Sequence, residues 1–501
     1  MADIRRQGIK GTIWVYVGFL LGAISTYFFT YTHWFTPDQY GLTRALLEIG
    51  LLLYAFSTLG TTFYVYKFFP YYADNLPKKD NDLLGQALKI CFLGFLFSIT
   101  ALYLFEPIII KKFSKNSALL VEYFYYIIPL GFFLLLYTII EIYAFGFSKA
   151  STTIFLKEVV LKFFTLIVVL LKIIGLINFK TFVLIFSFQY AIIAIILIAI
   201  LYKEGNFWLN FKPSKVTKKY KKKIIAVLAL TFLTAIVSVL RTSIDALVLA
   251  SRQDLGKVAI FGFTNYLVMT MGAPSRSLIA ITIPMLSRHW KDKNLVEIDR
   301  IYKRTSINLL SFSLFMFGLI LLNFTDAIQY FNLNESYLEG KYVFILLGLV
   351  TIIELGTGVN GQIIGTSSFF RFELWTSILL TVLIIPLSYF LTVKYGLIGP
   401  AVANLVSFTI YNAIRYFFLL KKFKMQPFSQ KTIEVILIAI VAFMAMHYLL
   451  GNKSGLLIII LRSILYALLF IVAVFIRDIS PDAKPVFLVL KKRIENIIFK
   501  R

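Results

Sequence analysis

Cysteine is nearly absent from this chain: Cys91 is the single one in 501 residues, so no intrachain disulfide can staple the fold. Acidic side chains are scarce, 25 against 51 Lys and Arg, and only 15% of the residues are charged. The three histidines, His33, His289 and His447, lie far apart and have no metal-ligand spacing. There is no GxxxxGK[ST] phosphate loop, no GxSxG elbow and no polar insertion large enough for a catalytic domain, which argues against an enzyme and a cofactor. The strict apolar–polar alternation of an outer-membrane barrel is also missing, although Phe (50) and Tyr (29) are abundant.

Long apolar runs are what the chain does have. Hydrophobic residues make up 59% of it and the mean hydropathy is +0.82, whereas a soluble domain stays near half apolar. Successive runs are each long enough to cross ~30 Å of hydrocarbon, and without alternation only helices satisfy the backbone there. The expected spans are 9–31, 43–66, 86–110, 119–143, 153–175, 180–202, 224–250, 257–284, 305–325, 341–366, 372–393, 398–420, 432–450 and 456–476. The expected fold is therefore all-α and polytopic, with about fourteen transmembrane helices. The first run follows Arg5, Arg6 and Lys10 but has no small-residue cleavage site, so it reads as a retained helix.

The formal charge of +26 follows topology and does not call for nucleic acid. With a cytoplasmic N-terminus, the inner loops collect the run from Lys215 to Lys223, Arg288, Lys291, Lys293, Arg300, Lys303, Arg304, Lys421, Lys422, Lys424 and the C-terminal tail. That is roughly three times the basic content of the outer loops, and Lys111, Lys112 and Lys115 are the outer group that objects. Both termini are thus expected in the cytoplasm, with anionic lipid headgroups as partners of the basic loops.

The basic segment 203–223 divides the first twelve spans into lobes 1–202 and 224–425, followed by two further helices over 426–480 and a basic tail over 481–501. The lobes echo one another. FTPDQYG ends at Gly41 and SRQDLG at Gly256, each followed by a helix that reaches a proline, Pro70 or Pro284. LLKIIGLI before Ser187 and Phe188 parallels LTVKYGLI before Ser407 and Phe408. An even number of spans per lobe makes this a parallel repeat, the architecture of alternating access. In the tail, Phe487, Leu490, Ile494, Ile497 and Ile498 recur at helical spacing among basic residues, as in an interfacial amphipathic helix.

The opening QGIKGTIWVYVGFLLG, FTPDQYGLTRALLEIG and FSTLGTTFYVYKFFP resembles the polysaccharide and O-antigen flippases of the multidrug/oligosaccharidyl-lipid/polysaccharide (MOP) superfamily. SIDALVLA, LGKVAIFG, IPMLSRHWKDK, GVNGQIIG and KYGLIGPAVANLVS continue the resemblance over nearly all of residues 1–430, while the last two spans match in number only. The resemblance implies export of an undecaprenyl-pyrophosphate-linked oligosaccharide for surface polysaccharide, in the bacterial inner membrane. Two relatives compete within the superfamily, a lipid II flippase and a drug/cation antiporter. An integral-membrane glycosyltransferase or polymerase is the alternative of another class, but the outer loop around Thr325 to Lys341 is short for catalysis.

Charge inside a span costs from ~2.5 kcal/mol upward, so each case asks for a reason. Arg241 and Asp245 lie four apart in span seven, either as a structural pair or with Asp245 binding a coupling Na⁺ or H⁺ at the family's span-seven aspartate. Arg276, just after Pro274, could hold a pyrophosphate through its planar fork or snorkel to the headgroups. Arg415 has the same two readings. Glu354, a second cation-coupling candidate, precedes GTGVNG, whose glycines permit close approach or local unwinding. There Asn360 and Gln362 could bind sugar hydroxyls or act as interhelical glue. Glu48 and Glu141 also fall within spans, and Glu158 and Glu373 are expected in ion pairs with Lys157 and Arg371.

Overall fold

The computed structural model describes residues 2–451, 453–480 and 482, and among them there are helices and no strands. The expected amphipathic tail lies outside the described residues. In chain order the helices are α1 (Ala2–Thr30), α2 (Pro37–Thr58), α3 (Thr61–Asn75), α4 (Leu83–Phe113), α5 (Ala118–Glu122), α6 (Ile127–Phe145), α7 (Ala150–Phe155), α8 (Leu161–Ile173), α9 (Phe179–Ser187), α10 (Gln189–Lys203), α11 (Lys215–Arg252) and α12 (Leu255–Met271). α13 (Ala273–Lys291), α14 (Leu295–Tyr330), α15 (Gly340–Gly356), α16 (Asn360–Thr366), α17 (Phe370–Tyr395), α18 (Gly399–Phe423), α19 (Gln430–Leu450) and α20 (Leu456–Ile476) follow.

Every span expected from the sequence falls on one helix or on a consecutive run of them. Among the described residues nine segments are long and apolar enough to cross a membrane, or eleven with each bent pair taken as one span. One of the nine, Phe370–Phe423, contains both α17 and α18. The chain is a multi-pass helical membrane protein.

Two expected spans are bent. α2 starts with a capping box, in which Thr36 and Gln39 exchange side-chain and backbone hydrogen bonds ahead of Pro37. It stops at Leu59 and Gly60, both at positive φ, and α3 departs at 50°. Glycine is required there, because a Cβ on Gly60 would stand 2.3 Å from the Leu228 carbonyl oxygen. The second bend, 46° between α15 and α16, falls in GTGVNG, with Gly358 at φ +62°. A third interruption separates α12 from α13 at Gly272, just before Pro274 in the first turn of α13.

The described chain forms two compact units, Met1–Ala259 and the part from Ile260 onward. In the first, α2 is the central helix, packed on α4, α6 and α11. The compact boundary falls beyond α11 because that helix lies along α2 and α3, so compactness and the sequence repeat divide the chain at different places. The echoed segments have a common physical cause: each caps a helix. Thr36 caps α2, and the Asp254 carboxylate accepts from the Lys257 amide at 2.7 Å at the start of α12. They also meet, since the Gly256 amide donates to Asp38 at 2.8 Å.

In the second unit, α17 packs on α18, α18 on α15, and α15 on α14. The last two helices lie against α14, burying Leu314, Tyr466, Phe470 and Ala442 among others. Arg462 of α20 locks them. Its guanidinium is 2% exposed and donates to the Leu322, Leu450 and Lys453 carbonyls and to Asp326, at 2.7 to 2.8 Å. A charge can be held there because both Nη groups meet acceptors, two each, although the buried Nε meets none among the described residues. After α20, Asp482 accepts from Arg304 and Asn308 of α14, fastening the following segment to that helix.

Candidate functional site

The intramembrane charges fall in separate groups within the two units. In the first, Asp245 of α11 is buried and Arg241 is half-buried one turn away. Between them on the chain, Ser243 donates to Glu48 of α2 at 2.6 Å, so two acidic side chains meet the helix pair α2–α11. Glu141 of α6 and Glu158 belong to another group, with Lys157 and Lys162. Lys157 lies 3.8 Å from Glu141, while Glu158 binds Lys162 at 2.7 Å and not the adjacent Lys157. Helix geometry explains the correction, because neighbours at i, i+1 diverge and those at i, i+4 share a face.

The second unit contains a cavity of about 470 Å³, and it gathers five residues singled out from the sequence: Arg276, Glu354, Asn360, Gln362 and Arg415. Asn265 and Asn412 add further amides, and Ser275 and Thr351 hydroxyls. The helix breaks make this possible. The interruption at Gly272 aims the first turn of α13 at the cavity, and the bend at Gly358 turns α16 across it.

Arg415 is held from three sides. It donates to Glu373 of α17, and its Nε donates to the Thr376 hydroxyl at 3.3 Å. The guanidinium carbon lies 3.7 Å from the centre of the Tyr411 ring. The side chain is 7% exposed, so it does not snorkel to headgroups. Snorkelling fails because a carboxylate and a ring inside the bundle satisfy the charge first. Gly361 makes the room, as a Cβ there would stand 2.9 Å from Nη1 of Arg415. Glu373 thus pairs across helices with Arg415, where the sequence had suggested Arg371. Asn360 donates at 3.1 Å to Asn412, whose oxygen also accepts from Thr357 at 3.0 Å. One amide of the cavity therefore serves as interhelical glue. Arg276 has an exposed side chain at the cavity.

No family model matches the chain. A capsular polysaccharide biosynthesis protein, CapF of Staphylococcus aureus, is 26% identical over 192 residues, which span 38% of this chain and 47% of CapF, about half of that relative's length. The lipid II flippase MurJ, in an inward closed conformation, superposes with a TM-score of 0.72 at 18% identity, covering 94% of this chain and 99% of that one. An inward-facing multidrug resistance MATE transporter of the MOP superfamily gives 0.57 at 15% identity over 83% of this chain and 95% of its own. The MATE multidrug transporter DinF-BH, in complex with R6G, gives 0.55 at 16% identity over 84% and 95%. The chain has the MOP-superfamily fold.

Within this MOP fold the sequence reading found the charged half of the cavity and missed Asn265, Ser275, Thr351 and Asn412. Single amides and hydroxyls on apolar helices carry little local signal, since the same residues glue helices throughout a membrane bundle. Arg462 was missed too. It was legible as an arginine well inside an apolar run, the type of residue that demands a partner.

Proposed function

We propose that the protein is a flippase that carries a polyprenyl-pyrophosphate-linked oligosaccharide from the inner to the outer leaflet by alternating access, with repeat lobes 1–202 and 224–425. The observation that carries the reading is the convergence of Arg276, Arg415, Glu354 and several amides on one cavity inside the second unit. Guanidinium suits phosphate oxygens and amides suit sugar hydroxyls, whereas an apolar drug needs neither. Arg276 is the phosphate ligand in this reading. Arg415, already held by Glu373, shapes the cavity and sets its potential. Asp245 and Glu354 are the sites where a coupling Na⁺ or H⁺ would act. CapF adds support from sequence and the MurJ-like fold adds support for a lipid-linked cargo. The bacterial inner membrane with both termini in the cytoplasm belongs to the same reading.

Complementation tests it, in a strain lacking its own O-antigen flippase, by scoring surface polysaccharide and the lipid-linked intermediate inside. Restored surface glycan without accumulated intermediate is the expected result. No restoration despite good membrane expression, together with rescue of a strain depleted of its lipid II flippase, would move the cargo to lipid II. The MurJ likeness makes that second reading specific.

A further inference from the structure

The first unit contains a second cavity of wholly different character. Between α4 and α6 a slot of about 380 Å³ is walled by Phe92, Phe132, Leu135 and Leu136, with Phe211 over one end and Lys89 beside it. Its walls are apolar, and Lys89 is the charged residue among those that line it. Phe211 belongs to the segment between α10 and α11, and this segment is pressed onto α4. Gln86 donates to the Phe211 carbonyl at 2.9 Å, and a Cβ on Gly85 would stand 2.1 Å from the Asn210 carbonyl oxygen. Lys78 donates to Asn206 at 2.9 Å, and the Lys79 ammonium lies 5.8 Å from the Trp208 ring.

The same segment has the composition of a membrane interface. Trp208, Leu209 and Phe211 are exposed. Between Lys203 and Lys223 there are eight lysines and one acidic residue, Glu204, which is bonded to Lys149. Aromatic rings at headgroup depth and clustered lysines are the two features that draw an anionic lipid to a particular spot on a membrane protein.

We propose that this slot is a binding site for one acyl chain of an anionic glycerophospholipid, whose phosphate lies against Lys89 beneath the docked segment. The chain fills an apolar volume that water would occupy at a cost, and the ammonium meets the opposite charge. A retained lipid fits better than a transported one, because Phe211 is fastened by Gln86 over the slot's end and a cargo tail must leave with its headgroup. The lipid would bind α4, α6 and the segment ahead of α11 together. This site is separate from the polar cavity and does not depend on the cargo proposed above.

The test uses the full chain, purified in mild detergent, stripped of lipid and titrated with dioleoylphosphatidylglycerol, dioleoylphosphatidylcholine or undecaprenyl phosphate, with one-to-one adducts read by native mass spectrometry. The expected result is tighter binding of phosphatidylglycerol than of phosphatidylcholine. Lys89→Ala, at an exposed position, should weaken phosphatidylglycerol about fivefold, the share of one lysine in such an attraction. Leu136→Trp, which fills the slot, should remove the saturable adduct while the melting curve remains cooperative. Equal affinity for the two phospholipids, unchanged phosphatidylglycerol binding in Lys89→Ala, or displacement of phosphatidylglycerol by equimolar undecaprenyl phosphate would each overturn the proposal.

Discussion

The guanidinium of Arg415 on α18 donates to Glu373 of α17 and lies face-on to Tyr411, 3.7 Å from its ring centre. One side chain therefore joins two helices and borders the polar cavity at once. Removing only the arginine leaves a carboxylate without its arginine inside the bundle, which costs about 3–5 kcal/mol, whereas replacing both members of the pair by apolar residues is close to neutral. Arg415→Ala should therefore lower the detergent melting temperature strongly, and Arg415→Met with Glu373→Leu should recover most of it. If the cavity's charge matters for cargo, the double variant still fails to export glycan. Recovered stability with recovered export would reduce Arg415 to a structural residue.

Asp245 and Arg276 call for substitutions that keep shape and alter chemistry. Asp245→Asn should abolish export with membrane expression unchanged, since the amide has neither the negative charge that balances a bound Na⁺ nor an oxygen that takes up a proton. Full activity of that variant would end the coupling role. Arg276→Lys keeps the charge and loses the fork, so export should fall about tenfold, the equivalent of one charge-assisted hydrogen bond. Wild-type export would instead place Arg276 among side chains that reach for headgroups.

Arg462 donates to three carbonyls and Asp326, all within the second unit. Arg462→Leu strands that carboxylate and should destabilise the protein by about 3–5 kcal/mol. Limited proteolysis after α18 checks it, with cleavage between α18 and α19 appearing well below the melting temperature of the parent. An unaltered protease pattern would mean that apolar packing on α14 suffices.

Asp482 gives a pH dependence with a definite sign. The hydrogen bond from Arg304 is the largest influence on its carboxyl and holds it below the usual carboxylate range, with a second from Asn308. A depressed folded-state value means that the tie contributes fully above the unfolded value of about 3.9 and is lost as pH falls through the lower one. Hydrogen exchange of residues 477–480 and 482, corrected for intrinsic rates, should stay protected from pH 7 down to about 4.5 and open below the usual carboxylate range. Asp482→Asn should remove that step and leave the segment open throughout.

Much of this protein was decided within short stretches of its sequence. Apolar runs such as Leu456–Ile476 dictate helices, because a backbone in lipid has no other local way to satisfy its hydrogen bonds. The capping signals at Thr36 and Asp254, and the glycines of GTGVNG, mark where helices start and bend, since capping and φ preference act over a few residues. Tertiary structure alone decided which charges meet. Arg415 finds Glu373 forty-two positions away and Arg462 finds Asp326 at a separation of 136, and neither distance leaves a trace in hydropathy. The nearest charge in sequence, Arg371 for Glu373 or Lys157 for Glu158, lost to a partner on the correct helix face. A pair needs proximity and direction in space, and a linear sequence of apolar helices specifies those only after the helices have packed.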